Sequence, residues 1–269
     1  RLEIFARKNS AQLFSGAYKS AFRGQGLDFA GARKYSDGDD WRAIDANLTA
    51  RLGEPYIKLN FEERMANIII ANDCSASMNI GSHNRTKHDT GSEIAAILAY
   101  SAYSNKDKIG LINFSNDISK YIPAKQGINQ MLTVIAGIAG NKFERTPTSL
   151  SGLFKFIANI SHKSYIIVLS DFRSGNYAQE LAEAAAKHEI ICINIADQPE
   201  TATINAGLIS SVNAETGRVH VIDSSSPVYS LNRAAEQSNI SDYAKSNCIS
   251  SGAGYLEIES SAPYLLPVT

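Results

Sequence analysis

From residue 66 onward, short apolar runs alternate with longer amphipathic stretches. Asn67–Ala71 contains the unbroken run Ile68-Ile69-Ile70-Ala71 and reads as a buried strand. Thr90–Tyr103 reads as a helix, Lys108–Phe114 as a strand, and Asp117–Ile122 as its short partner across a tight Ser-Asn turn. Gln130–Ala139 and Leu150–Asn159 are helical in pattern, and Tyr165–Ser170 is a continuous apolar strand. Tyr177–His188 predicts a helix, Glu189–Ile195 a strand, Ser230–Asn247 a helix and Tyr255–Glu259 a last strand. This alternation predicts an α/β fold: a doubly wound, mostly parallel sheet with helices on both faces. Leu208–Val212 and Arg218–Ile222 flank the turn-forming Asn213–Gly217, which predicts a hairpin insertion near 207–223. Residues 1–61 carry scattered glycines and charges and read as an irregular N-terminal extension packed on the main domain. The main domain is expected at 62–261, with 262–269 as a tail.

Composition narrows the function classes. A chain of 269 residues suffices for one large domain plus an extension. Its net charge of -1 gives no bulk attraction to nucleic acid or to an anionic membrane. No apolar run approaches the roughly 20 residues of a membrane span, so none is expected. No signal peptide is legible, and a start at Arg1 rather than Met points to a trimmed upstream segment. Cys74, Cys192 and Cys248 are odd in number and form no C-x-x-C pair. That pattern predicts neither disulfide nor zinc knuckle and fits a cytoplasmic setting.

The chemistry concentrates where strands end. Asp73-Cys74-Ser75-Ala76-Ser77 follows the first buried strand and offers one carboxylate and two hydroxyls at alternate positions. Small oxygen ligands suit a hard divalent cation, above all magnesium. The positive end of the next helix would disfavour a cation there, and Asp73 offsets it. Cys74 reads as a small side chain pointing away from the site. Thr146-Pro147-Thr148-Ser149 precedes the helix from Leu150, and Ser170-Asp171 ends the strand Tyr165–Ser170. Each loop alone could be a helix cap or a turn. In a doubly wound sheet all three meet at the carboxyl edge, where ligands bind. The predicted metal site is therefore Asp73, Ser75, Ser77, Thr148 and Asp171. Thr146 stands as the alternative to Thr148, which is favoured because it lies directly before the helix start.

This set, Asp-x-Ser-x-Ser, then Thr, then Asp after an apolar strand, resembles the metal-ion-dependent adhesion site of von Willebrand factor A domains. Upstream, Arg33-Lys34-Tyr35-Ser36-Asp37-Gly38-Asp39-Asp40-Trp41-Arg42-Ala43-Ile44-Asp45 and then Thr49-Ala50-Arg51 resemble the signature R-x-Y-x-x-G-D-D-x-R-x-I-D-W, then A-R, of the bacterial and archaeal family called domain of unknown function 58. Phe61-Glu62-Glu63-Arg64 stands where that family has a glutamate-rich strand, and Ser20 with Gly24-Gln25-Gly26 fits its S-x-x-x-G-x-G pattern. Departures are Ala46 for the usual Trp, Asp37 for Pro, and Pro147-Thr148-Ser149 within the usual G-G-T-D.

The resemblance implies bound magnesium, or manganese or calcium, with the serines and the threonine as direct ligands and the aspartates acting through water. An ion with few charged ligands keeps an open position that attracts an Asp or Glu of a protein partner. The implied role is an adaptor for a MoxR-type AAA+ ATPase, a metal-dependent protein–protein interaction rather than catalysis. Because the loops lie at the sheet's edge, replacing Thr148 or Asp171 by Ala is expected to leave the fold intact. The alternative is a metal-dependent hydrolase acting on a phosphorylated substrate. Against it, no general base has a convincing spacing: His83 and His88 fall in a polar stretch that reads as solvated loop. No phosphate-binding G-x-x-x-x-G-K-[ST] occurs. Finally, Arg33, Arg42 and Arg51 interleave with Asp37, Asp39, Asp40 and Asp45. They predict an internal ion-pair network, with Tyr35, Trp41 and Ile44 drawing the segment inward.

Overall fold

The computed structural model describes residues 32–36, 39, 41, 44, 46–58, 65–81, 85–140, 147–197, 207–212 and 219–260. The chain divides into two compact units, a small one at Leu13–Met65 and a large one built chiefly from Ala66–Pro267.

In the small unit, β1 (Ala32–Lys34) pairs antiparallel with β2 (Tyr56–Lys58), with Arg33 opposite Ile57. Between them runs α1 (Ala46–Leu52), closed by Gly53 at φ 74, a left-handed position that glycine takes without strain. Thr49 Oγ1 accepts a hydrogen bond from Tyr56 N at 3.2 Å, which ties α1 to β2. The segment read as irregular thus contains a helix and a ribbon, both too short for periodicity to reveal. The inward pull expected of its aromatic residues holds for Tyr35 and Ile44, which are half-buried, and fails for Trp41, which is 69% exposed. Arg51 is also exposed, whereas Asp39 Oδ2 accepts from Ser36 N at 3.0 Å. The side chain of Arg33, and Asp37, Asp40, Arg42 and Asp45, lie outside the described residues, as do Ser20, Gly24–Gly26 and Phe61–Arg64.

The large unit is built on a six-stranded sheet. Its strands are β3 (Asn67–Asp73), β4 (Lys108–Phe114), β5 (Ile118–Lys125), β6 (Tyr165–Ser170), β7 (Glu189–Ala196) and, after a separate antiparallel pair β8 (Leu208–Val212) and β9 (Val219–Asp223), β10 (Gly254–Glu259). Across the sheet the order is β10-β7-β6-β3-β4-β5. Every neighbouring pair is parallel except β4 with β5, which the tight turn at Ser115–Asp117 forces antiparallel. The predicted α/β class is what the chain adopts. Its helices are α2 (Lys87–Ser104), α3 (Ile128–Ala139), α4 (Leu150–Ala158), α5 (Ala178–Ala185) and α6 (Pro227–Ser251). Among the described residues, no helix is long and apolar enough to cross a membrane.

The apolar strands are buried as two-sided burial requires: Ile68, Ile69, Ile70, Ile109, Leu111, Ile112, Ile166 and Val168 are all at most 1% exposed. Helix α3 packs on β4 at Gly137, where a Cβ would come within 2.7 Å of Leu111 Cδ2. On the other side, one cluster joins Ile69, Ala71, Phe114, Leu150, Phe154, Val168, Phe172, Tyr177 and Cys248. Phe154 is fully buried there, its ring centroid 5.8 Å from that of Tyr177. Phe154→Ala is expected to cost about 3–5 kcal/mol in a urea titration. A loss below about 1 kcal/mol would mean that α4 does not carry this core.

Two helices start three residues earlier than expected. Helix α2 begins at Lys87, not Thr90, because Thr86 and Asp89 cap it reciprocally: Asp89 N donates to Thr86 Oγ1 at 3.0 Å and Thr86 N to Asp89 Oδ2 at 2.9 Å. Helix α6 runs longer than expected, from Pro227 in its first turn to Gly252 at φ 77.

Candidate functional site

The strand order reverses at β3. The chain steps from β3 to β4 and β5 on one side, then returns to lay β6 and β7 on the other. This puts the switch point, the crevice where open α/β sheets bind ligands, at the carboxyl ends of β3 and β6. Those ends are Asp73 and Ser170.

Asp73 is fully buried and its carboxylate joins three loops. Oδ1 accepts from Ser75 N at 2.9 Å, while Oδ2 accepts from Ser170 Oγ at 2.5 Å and Thr148 Oγ1 at 3.3 Å. Ser75 Oγ and Ser77 Oγ lie 3.0 Å apart. Ser77 is close enough to Asp171 to help hold its pKa down. Asp171 Oδ2 accepts from Lys87 Nζ at 2.7 Å, with the two side chains 2% and 1% exposed. Arg173 adds a second positive charge, its Nε 3.8 Å from Asp171 Oδ2. The structure therefore brings Asp73, Ser75, Ser77, Thr148 and Asp171 into one buried hydrogen-bonded cluster. Thr146 lies outside the described residues.

Local structure explains how each group arrives. Ser75 is extended, at φ -65 and ψ 159, ahead of a 3₁₀ turn at Ala76–Asn79 that the fully buried Met78 anchors. Cys74 points inward, its Sγ donating to Asn72 O at 3.3 Å, as expected of a small buried thiol. Thr148 is held through its carbonyl, which accepts from Ser174 Oγ at 3.0 Å, and Ser149 caps α4 by accepting from Gly152 N at 3.2 Å. After Asp171 the chain turns sharply: Phe172 takes φ 55, a left-handed conformation costly for a residue with a Cβ. Its buried ring offsets that cost, and its N–H donates to Ser170 Oγ at 3.0 Å.

The loop leading to α2 closes equally tightly. Lys87 N donates to Ile80 O at 3.0 Å, and a Cβ at Gly81 would come within 1.9 Å of Arg85 O. Gly81→Ala must open this loop and is expected to lower the thermal midpoint and shift Lys87. An unchanged midpoint would show that the loop closes otherwise.

The two carboxyls have opposite electrostatics. Burial, reinforced by the neighbouring charge of Asp171, pushes Asp73 up to about 7 despite the hydrogen bonds from Ser170 and Ser75. Burial would also raise Asp171, but the Lys87 ammonium, with Arg173 and Ser77, outweighs it and holds Asp171 below its ordinary value. Sequence reasoning missed Lys87 and gave Ser170 no part in the site. A signal for Lys87 exists: Thr86-x-x-Asp89 is a capping pattern that places it in the first turn. His88, weighed as a general base, has its Nε2 3.1 Å from Ser92 Oγ one turn along its own helix, and burial lowers its pKa. His83 lies outside the described residues.

Among the described residues, no three His, Cys, Asp or Glu side chains converge as a metal cluster. The donors here are all oxygens, mostly neutral hydroxyls, which suits magnesium, manganese or calcium over softer metals. In an octahedron with bonds of about 2.0–2.1 Å, adjacent oxygens sit about 2.9 Å apart. The 3.0 Å between Ser75 Oγ and Ser77 Oγ matches that edge. The residues fit a hard divalent cation.

The chain has relatives among known proteins. The chain is 23% identical over 224 residues to "Uncharacterized protein Rv1480" of Mycobacterium tuberculosis (strain ATCC 25618 / H37Rv), covering 81% of this chain and 70% of that protein. Among solved structures it is similar to the conserved hypothetical protein BatB of Bacteroides thetaiotaomicron, at 13% identity and TM-score 0.46, covering 73% of this chain and 91% of that one. It is also similar to the SpRpn10 VWA domain, at 11% identity and TM-score 0.40, covering 75% of this chain and 92% of that one. These structural likenesses are partial, and the site rests on this chain's own residues. A family model matches residues 31–238, and the chain belongs to that family, described as "Protein of unknown function DUF58".

Proposed function

We propose that this domain binds a protein partner through a divalent cation held at the β3–β6 switch point. Ser75, Ser77 and Thr148 would hold magnesium, manganese or calcium directly, with Asp73 and Asp171 orienting them and the ion's waters. When bound, the ion supplies an electrophilic centre for an Asp or Glu of the partner. The observation that carries this reading is the buried cluster itself, with the Ser75–Ser77 oxygens spaced as an octahedral edge. The chain's groups do the positioning: Asp73 gathers the β3, α4 and β6 loops through its two oxygens, and Ser170 fixes its orientation. The partner implied by the sequence resemblance is a MoxR-type AAA+ ATPase, for which the domain would act as adaptor. Cys74, Cys192 and Cys248 are buried thiols outside any disulfide, in keeping with a reducing, cytoplasmic setting.

The test is capture of a purified MoxR-type ATPase by the intact chain, with magnesium and with chelator, beside Asp73→Asn. Capture is expected only with magnesium and wild-type chain. Capture that survives both chelation and Asp73→Asn would refute the metal-bridged mechanism. Phosphoester hydrolysis that needs the metal and vanishes in Asp73→Asn would favour the hydrolase instead.

A further inference from the structure

Lys87 needs an explanation that folding alone does not supply. Its side chain is fully buried, and removing an ammonium from water costs several kcal/mol. It also stands in the first turn of α2, where the helix dipole repels a cation. The cap of that helix is already made by Thr86 and Asp89. What Lys87 reaches instead is Asp171 Oδ2, at 2.7 Å, inside the candidate metal site.

We propose that Lys87 is the resident counter-ion of this site, and that its charge makes a partner's carboxylate necessary for firm cation binding. This rests on the metal-bridged reading given under Proposed function. The argument is one of charge balance. Arg173 stands farther off, at 3.8 Å, a quarter exposed and donating to Gln237, so solvent screens it. Of the fully enclosed charges, with both Asp73 and Asp171 ionised and no lysine, a divalent cation would by itself bring the site to neutrality. A further carboxylate would then add an unpaired negative charge to a desolvated pocket. With Lys87 present, the same cation leaves the site one positive charge in excess. One incoming Asp or Glu removes that excess. Lys87 thus positions Asp171, weakens the site for the cation alone and turns the surplus toward a carboxylate. Because the charges lie in a poorly screened interior, the effect of one ammonium is large.

The experiment is isothermal calorimetry of manganese binding to the full chain, comparing wild type, Lys87→Gln and Lys87→Arg, with and without acetate as the carboxylate probe. Lys87→Gln keeps a donor for Asp171 and loses the charge. It is expected to bind manganese at least about tenfold tighter than wild type when acetate is absent. Lys87→Arg keeps the charge and should bind as wild type does. Acetate should tighten manganese binding to wild type and to Lys87→Arg, and leave Lys87→Gln unchanged. If manganese binds wild type and Lys87→Gln equally, or acetate helps both alike, the role of Lys87 is overturned while the metal reading stands. If manganese binds no variant, both fall together. Circular dichroism guards against a folding defect. Lys87→Gln that folds only on adding manganese supports the proposal, and Lys87→Gln that stays unfolded at every manganese concentration overturns it.

Discussion

Asp171→Ala should lower the unfolding free energy by about 3–5 kcal/mol in chelator, because it removes the carboxylate that faces the buried Lys87 ammonium. Both partners are nearly without exposure, and their contact is 2.7 Å. An exposed ion pair would contribute at most about 1 kcal/mol, so the burial decides the size of the effect. The expectation drawn from sequence, that edge loops tolerate such a change, is corrected here. These loops end the strands, yet they fold over one another, so Asp171 is as enclosed as a core residue. Replacing both groups with apolar ones, Lys87→Met with Asp171→Leu, should recover most of the loss, since both buried charges are then gone. Urea titration followed by circular dichroism checks both variants. A loss under about 1 kcal/mol for Asp171→Ala would show that the pair is solvated.

The strands were legible because most of them are unbroken apolar runs. Ile68–Ala71 and Tyr165–Ser170 have no polar alternation to mislead a period count, and burial on both sheet faces is the reason they have none. The candidate site was legible for a related reason. Polar residues that end such runs fall at a sheet edge, and alternation of strands with helices places that edge at a ligand crevice. The burial of Lys87 was not legible. Its partner stands 84 residues away, and only the tertiary fold shows that a lysine in a polar stretch is buried. The same stretch hid the start of α2, since its first turn is held by the side chains of Thr86 and Asp89 rather than by apolar spacing. Trp41 failed in the opposite direction: an aromatic residue among charges suggested inward packing, but a single large apolar side chain on a surface is ordinary.

Asp73→Asn should reverse its effect on stability between chelator and magnesium. In chelator the folded Asp73 carboxyl keeps its proton up to about pH 7, whereas the unfolded chain releases it near 3.8. The folded state therefore binds more protons than the unfolded state between those values. Stability from this group falls as pH rises through that window, and above it the protein carries a buried carboxylate that it stabilises poorly. Asp73→Asn has no such proton to lose. At pH 8 without divalent ions it should be at least as stable as wild type, and its stability should be flatter between pH 4 and 7. Magnesium inverts the order. A ligand that binds only the folded state adds about 1.4 kcal/mol at ten times its Kd, which for a chain of this size is about 3–6 °C in Tm. Wild type should show that rise. Asp73→Asn should not, because the amide removes the carboxylate that gathers Ser75, Thr148 and Ser170 around the site. The measurement is a pair of thermal melts at pH 8, in chelator and in magnesium, for both chains. A magnesium shift of equal size in both would remove Asp73 from the metal site. A chelator melt in which Asp73→Asn is markedly the weaker would show that its carboxylate holds the loops without any ion.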